Sequence, residues 1–172
     1  MSALGLFTIV KPSFWKSRRE IQDASHGKLG YFTMTNWSWT TGEGEARGRR
    51  LRFSYDGWDS RYNYMTDASG QKLATFEPVG WWGTQFKLVY DGKGYGWKVN
   101  GWGTTFSILD GETEIIRVFQ GGYFKPGSVT VNRAMDEKDL LPLILYGLYQ
   151  MQIYASNSSS VASGAVIVPA SS

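Results

Sequence analysis

Asp23-Ala24-Ser25-His26 contains the only histidine of the chain, beside a hydroxyl and a carboxylate. These are the residue types of a nucleophilic triad, in which an imidazole takes the proton of an attacking hydroxyl and a carboxylate orients the ring. Three members compressed into four residues cannot reach that geometry within one loop, so His26 reads as a surface histidine. Glu43, Glu45, Glu112 and Glu114 alternate with small or polar residues near turns. Glycosidase chemistry needs two carboxyls at a defined separation, and the pattern fits a solvated strand edge instead. "GKGYG" and "GEGEARG" are glycine-rich, but no helix follows either, so a phosphate cradle lacks its helix N-terminus. With no cysteine, thiol redox chemistry and cysteine-based metal binding are excluded. No catalytic constellation, cofactor or metal is expected.

Binding residues are better represented. The formal charge of +3 is concentrated in residues 1 to 61, where ten Lys/Arg face six Asp/Glu. Two clusters stand out: Lys16, Arg18 and Arg19, then Arg47, Arg49, Arg50 and Arg52. Such clusters attract an anionic membrane surface or an acidic protein; nucleic acid is not expected as a partner. Their plain alternative is a solvated face. Eight tryptophans form the second group. Most are expected inside, filling a core with large side chains. Trp81 and Trp82 are the candidates for a surface platform, because adjacent strand residues face opposite ways.

The elements that must position these residues are strands. From Lys28 to Val131 apolar and polar residues alternate with period two, the signature of strands with one buried face. "RRLRFSY" sets Leu51, Phe53 and Tyr55 on one side and Arg50, Arg52 and Ser54 on the other. Turns are predicted at Asp67 to Gly70, Asp91-Gly92 and Asp110-Gly111, each between alternating runs, which is the strongest short-range hairpin signal. The apolar run Leu4 to Val10 reads as a first strand rather than a leader. At 172 residues the chain fits one domain, 1–155, that buries roughly two thirds of its unfolded surface.

The period changes near the C-terminus. "DLLPLILYGLYQMQIYA", 139–155, predicts a helix capped by Asp139, with Pro142 tolerated in its first turn. Its apolar residues fall on nearly every side, so it lies in lipid or is completely surrounded by protein. A span needs about 20 mainly apolar residues, and Gln150 and Gln152 interrupt this run. No transmembrane span is therefore expected, and Gly147 marks a point where an inward aromatic presses on the helix. The segment 156–172 reads as a serine-rich flexible tail with a short strand at 165–168.

"DASGQKLATF" (67–76), "FSILDGETEIIRVFQ" (106–120) and "SVTVNRAMDEKDLLPLILYGLYQMQ" (128–152) together resemble the tubby C-terminal-domain-like superfamily, with the LURP-one-related proteins and small bacterial relatives of the phospholipid scramblases as the nearest pattern. The resemblance covers about 60 to 155 and more loosely 1 to 155. It implies a mainly β protein: a closed antiparallel β-barrel of about a dozen strands around a central hydrophobic C-terminal helix. It also implies headgroup binding through basic residues. Scramblases carry a palmitoylated cysteine-rich segment that this chain lacks, and no functional residue transfers position by position.

The expected function is a non-enzymatic binding protein docking an anionic lipid headgroup or other anionic partner through Arg47, Arg49, Arg50, Arg52, Lys16, Arg18 and Arg19. The alternatives are an aromatic-platform carbohydrate-binding module and a calycin-like barrel with a small ligand in its lumen. Absence of cysteine sets the default location as cytoplasmic, peripheral to a membrane. If the helix is the core, a chain ending before Asp139 should be insoluble or molten. A truncated product that unfolds cooperatively in urea would contradict this.

Overall fold

The computed structural model of the chain describes residues 2–12, 17–36, 38, 40–80, 85–100, 102–122 and 125–163, with side chains among these from 6 to 157. Twelve strands precede one helix. They are β1 (Ser2–Val10), β2 (Arg19–Gln22), β3 (Lys28–Met34), β4 (Gly42–Ala46), β5 (Arg49–Tyr55), β6 (Asn63–Asp67), β7 (Lys72–Pro78), β8 (Gln85–Tyr90), β9 (Lys93–Val99), β10 (Thr105–Asp110), β11 (Thr113–Phe119) and β12 (Gly127–Asp136), followed by α1 (Glu137–Ser163). Each strand pairs antiparallel with its sequence neighbour, and β1 pairs with β12 to close the barrel. Closure leaves no sheet edge to aggregate.

Short turns follow the chemistry of their residues. At Asp91-Gly92 both central residues have positive φ, 48° and 78°, the twist that suits a two-residue hairpin. Arg47-Gly48 does the same between β4 and β5, at φ 50° and 83°. The sequence hid that hairpin because arginine replaces the usual Asn or Asp. Two Asp-Ala-Ser turns share one device: Asp67 Oδ1 accepts from the Ser69 amide, the Ser69 hydroxyl and the Gln71 amide. Asp23 Oδ1 accepts in the same way from Ser25 N, Ser25 Oγ and Gly27 N, at 2.9, 2.7 and 2.9 Å. The carboxylate and hydroxyl beside His26 are thus turn scaffold.

The helix starts two residues earlier than its sequence suggests and continues through Ser163, so the segment expected to begin a flexible tail is helical as far as that residue. Elongation adds one hydrogen bond per residue once a helix is nucleated, which carries it past its apolar part. The cap is Asp136, whose Oδ1 accepts from the Lys138 amide at 3.2 Å. Asp139 instead accepts from the Tyr90 hydroxyl at 3.2 Å, and Pro142 sits in the second turn. The expected strand 165–168 lies outside the described residues.

From Leu140 to Met151 every helix residue is buried. Partners come from around the barrel: Tyr90 on β8 reaches Asp139, Phe106 on β10 meets Gly147, Leu145 lies against Gly44 on β4, and Tyr146 bonds Asn63 on β6. The helix therefore runs through the barrel. Among the described residues no helix is long and apolar enough to cross a membrane.

Space around the helix is divided unequally. On the β3–β4 side glycines bring the wall close: a Cβ at Gly44 would stand 2.6 Å from Tyr31 O and 3.5 Å from Leu145 Cδ1. Opposite, Phe76, Phe86, Trp97 and Phe106 fill the gap in stacked and edge-on contacts, with Trp97 and Phe106 centroids 5.6 Å apart. One polar cluster sets the helix register. Asn63 Oδ1 accepts from Tyr146 Oη at 2.7 Å and Gln150 Nε2 at 2.8 Å, while Asn63 Nδ2 donates to Gln150 Oε1 at 2.9 Å. A one-residue slip would strand these buried groups unpaired, at about 1–3 kcal/mol each.

Gly147 meets the ring that its sequence position implied. A Cβ there would lie 2.3 Å from Phe106 Cε2, and that ring is held against Trp97. Gly147→Ala gains about 1 kcal/mol of helix propensity but overpacks a rigid aromatic at a cost of about 1–3 kcal/mol. A net loss in urea stability is expected, recovered in Gly147→Ala/Phe106→Leu. A single variant as stable as the parent would show that the ring moves freely.

Candidate functional site

Because strands alternate in direction, the connections divide between two ends. One end, the hairpin end, has the short turns 23–27, 47–48, 68–71, 91–92 and 111–112, with the start of α1. The other, the loop end, has 11–18, 35–41, 56–62, 79–84, 100–104 and 120–126. Sequence composition separates them sharply. No Phe, Trp or Tyr falls in the hairpin-end turns, whereas two of the three described tryptophans, Trp58 and Trp102, belong to loop-end connections.

The two arginine clusters lie at opposite ends. Arg47 occupies the hairpin-end turn and grips Glu137 at the helix start, Nε to Oε2 at 3.0 Å and Nη2 to Oε1 at 3.2 Å. Arg50 and Arg52 point outward from β5 directly opposite Glu45 and Glu43 on β4. Arg49 is exposed at the barrel mouth near Asp67, whose carboxyl is held low first by Ser69 and last by this guanidinium. This face is therefore charge-balanced. Arg18 pairs with Glu20 at 3.0 Å and lies 3.8 Å over the Tyr31 ring. Lys16, Trp81 and Trp82 lie outside the described residues.

Arg19 has a different setting. Val10 and Glu20 are paired across β1 and β2, and one step further brings Lys11 beside Arg19. Burial and then the Arg19 charge lower the Lys11 ammonium from its ordinary value. Both line a cleft of about 380 Å³ at the loop end, with Gln120, Gly121, Gly122, Lys125 and Pro126. Gly121, at φ 79°, folds this loop so tightly that a Cβ would stand 2.5 Å from Gly127 N. Gln120 Nε2 donates to Gly103 O at 3.0 Å, while its Oε1 is buried with no protein donor.

Two loops on opposite sides of this end share a design visible as Asn-x-x-x-Thr-Thr at 36–41 and 100–105. Asn36 Oδ1 accepts from the Thr40 and Thr41 amides at 2.9 and 2.8 Å. Asn100 Oδ1 accepts from Thr104 and Thr105 at 2.9 and 3.1 Å. In each, the Asn Nδ2 also reaches the first threonine hydroxyl. On loop 100–104 this frame holds Trp102 at 90% exposure; on loop 56–62 a fork from Arg61 to Asp59 braces the turn beside Trp58, exposed at 93%. Of the three described tryptophans, Trp97 is core as expected, whereas the expectation of burial is corrected for Trp58 and Trp102; the other five lie outside the described residues. Trp58 and Trp102 stand on connections rather than on strands, where alternation does not apply. Lys11, Gln120, Lys125, Trp58 and Trp102 were missed as site residues; the repeated Asn-Thr-Thr frame was a signal for Trp102 alone.

The lumen itself is occupied by α1, which removes the volume a calycin-like ligand site would need. No family model, curated protein or solved structure matches the chain. Fold and site define it as a closed twelve-stranded antiparallel barrel filled by its own C-terminal helix, with its surface features gathered at one rim.

At the hairpin end, burial and then the Asp139 charge push the Tyr90 phenol up to about 12, with Arg49 acting in the opposite sense. Burial raises Tyr146 and Tyr149 as well. A phenol whose folded pKa exceeds its unfolded value near 10 supports folding fully below that pH and loses the contribution as pH climbs toward the folded value. Urea midpoints should begin to fall above about pH 10, and Tyr90→Phe should shallow the decline up to about pH 12. Parallel profiles for the parent and Tyr90→Phe would contradict the assignment.

Proposed function

We propose that this chain is a non-enzymatic binding protein of tubby-like architecture that docks an anionic lipid headgroup at the loop end of its barrel. One observation carries the reading: Lys11, one residue past β1, and Arg19, at the start of β2, line with Lys125 one cleft that also holds Gln120 and two glycines. An anion in the cleft is within reach of the Lys11 and Arg19 side chains. Gln120 Oε1, buried without a donor, suits a headgroup that carries a hydroxyl or ammonium beside its charge. Among the described residues of the loop-end connections, Lys11, Arg18, Arg61 and Lys125 outnumber Asp56 and Asp59, so the approach to the cleft is net positive. On this reading the protein works as a cytoplasmic, peripheral component at an anionic leaflet.

The test is cosedimentation with phosphatidylcholine vesicles, with and without phosphatidylserine. Binding should require the anionic lipid, weaken with salt, and drop about five-fold for each of Lys11→Ala and Lys125→Ala, the effect of about 1 kcal/mol per basic residue at a charged surface. Arg50→Ala, on the balanced face, should change little. Equal binding to both vesicle types would refute the reading.

A further inference from the structure

We infer that Trp58 and Trp102 insert into the interfacial layer of a lipid bilayer, so that the barrel stands on the membrane by its loop end. The inference deepens the docking reading and shares its rim, but it rests on different residues.

Five large hydrophobic side chains are exposed among those described: Leu6, Trp58, Tyr62, Val79 and Trp102. Four of them belong to loop-end connections, and Leu6 sits on the outer wall of β1. Burying a tryptophan removes about 150–250 Å² from water, so leaving two almost wholly exposed forgoes a large stabilisation that packing elsewhere would have supplied. Both are instead presented by braced loops. The Asn100 frame, the Gln120 bond to Gly103 O and the Gln120 amide bonded to Thr104 O at 3.1 Å fix the base of loop 100–104. Asp59 fixes loop 56–62 through Arg61 and through its carbonyl, which accepts from the Tyr62 amide at 3.1 Å. Gly57 and Gly103, both at positive φ, flank the tryptophans and let the tips project.

The placement of the tips selects the partner. Trp58 lies between β5 and β6 and Trp102 between β9 and β10, four strands apart in a ring of twelve. A protein partner engages a contiguous, close-packed patch with its anchors near the centre. Separate tips on one arc of a rim, with Lys11, Arg19 and Lys125 on the remaining arc, match a flat and fluid surface of opposite charge. Tryptophan concentrates at bilayer interfaces because its ring is apolar while its N–H still finds a polar partner. Cationic side chains at the same level meet anionic headgroups. The opposite end has no Phe, Trp or Tyr in its turns.

Wild-type protein, Trp58→Ala/Trp102→Ala and Lys11→Ala/Lys125→Ala would be compared on phosphatidylcholine vesicles with and without phosphatidylserine. Binding is read by cosedimentation, and depth by quenching from lipids labelled high on the acyl chain. The tryptophan variant should lose at least ten-fold in vesicle affinity and most of the quenching, with an unfolding midpoint like the parent's because both rings are exposed. Undiminished binding and quenching in that variant would overturn the inference while leaving headgroup docking in place. Tryptophan-dependent binding that is equal on neutral and anionic vesicles would sustain the inference and remove headgroup docking. No binding of the wild type to either vesicle overturns both. Quenching by laminarin in place of lipid would overturn the inference in favour of a carbohydrate platform.

Discussion

One constraint organises the molecule: an α-helix that is apolar on every side must be enclosed on every side. Leu140 to Met151 cannot be covered by packing on a single sheet face, so the sheet has to close around them. Barrel diameter grows with strand number, and twelve strands leave room for one helix about 10 Å across plus one layer of side chains. That layer is thin where glycines on β4 face the helix and thick where Phe76, Phe86, Trp97 and Phe106 stand opposite. Gly147 takes up the tightest contact. The Asn63, Tyr146 and Gln150 cluster then fixes rotation and register, because apolar contacts alone would tolerate several positions of so uniform a helix.

Filling the interior leaves only the outer surface and the two rims to meet a ligand. A barrel with an open lumen recognises ligands within its wall, whereas this one has none to offer, and its outer wall carries charges matched strand to strand. Glu43 opposite Arg52 and Glu45 opposite Arg50 illustrate how cross-strand pairing neutralises a basic run that looks conspicuous in sequence. What remains distinctive is the difference between the two ends. Short turns of Asp, Gly and Arg close one end with minimal surface. Connections of five to eight residues form the other, and these can carry side chains that answer to no packing requirement.

Legibility followed the physics of each part. Period-two alternation, the Asp-Gly turns and the all-round apolar helix are local properties, and with them the mainly β class, the enclosed helix and even the close approach at Gly147 could be read from residue types. Helix ends were less legible, since Asp136 and Asp139 are equally good caps until the end of β12 decides between them. The tubby-like resemblance, carried by those same turns and runs, remains a proposal.

Sequence alone determined which residues must be buried and where the chain turns, because period, turn chemistry and hydrophobicity act within a few residues. It could not determine which charges would stand together. Arg47 and Arg19 are both members of basic runs; Arg47 meets Glu137, ninety positions away, and Arg19 lines a cleft with Lys11 and Lys125. Only barrel closure, joining β1 to β12, brings residues 9–11 and 120–126 to one place. The exposure of Trp58 and Trp102 was decided at the same level, since a connection's side chains take their environment from the end of the barrel on which it falls.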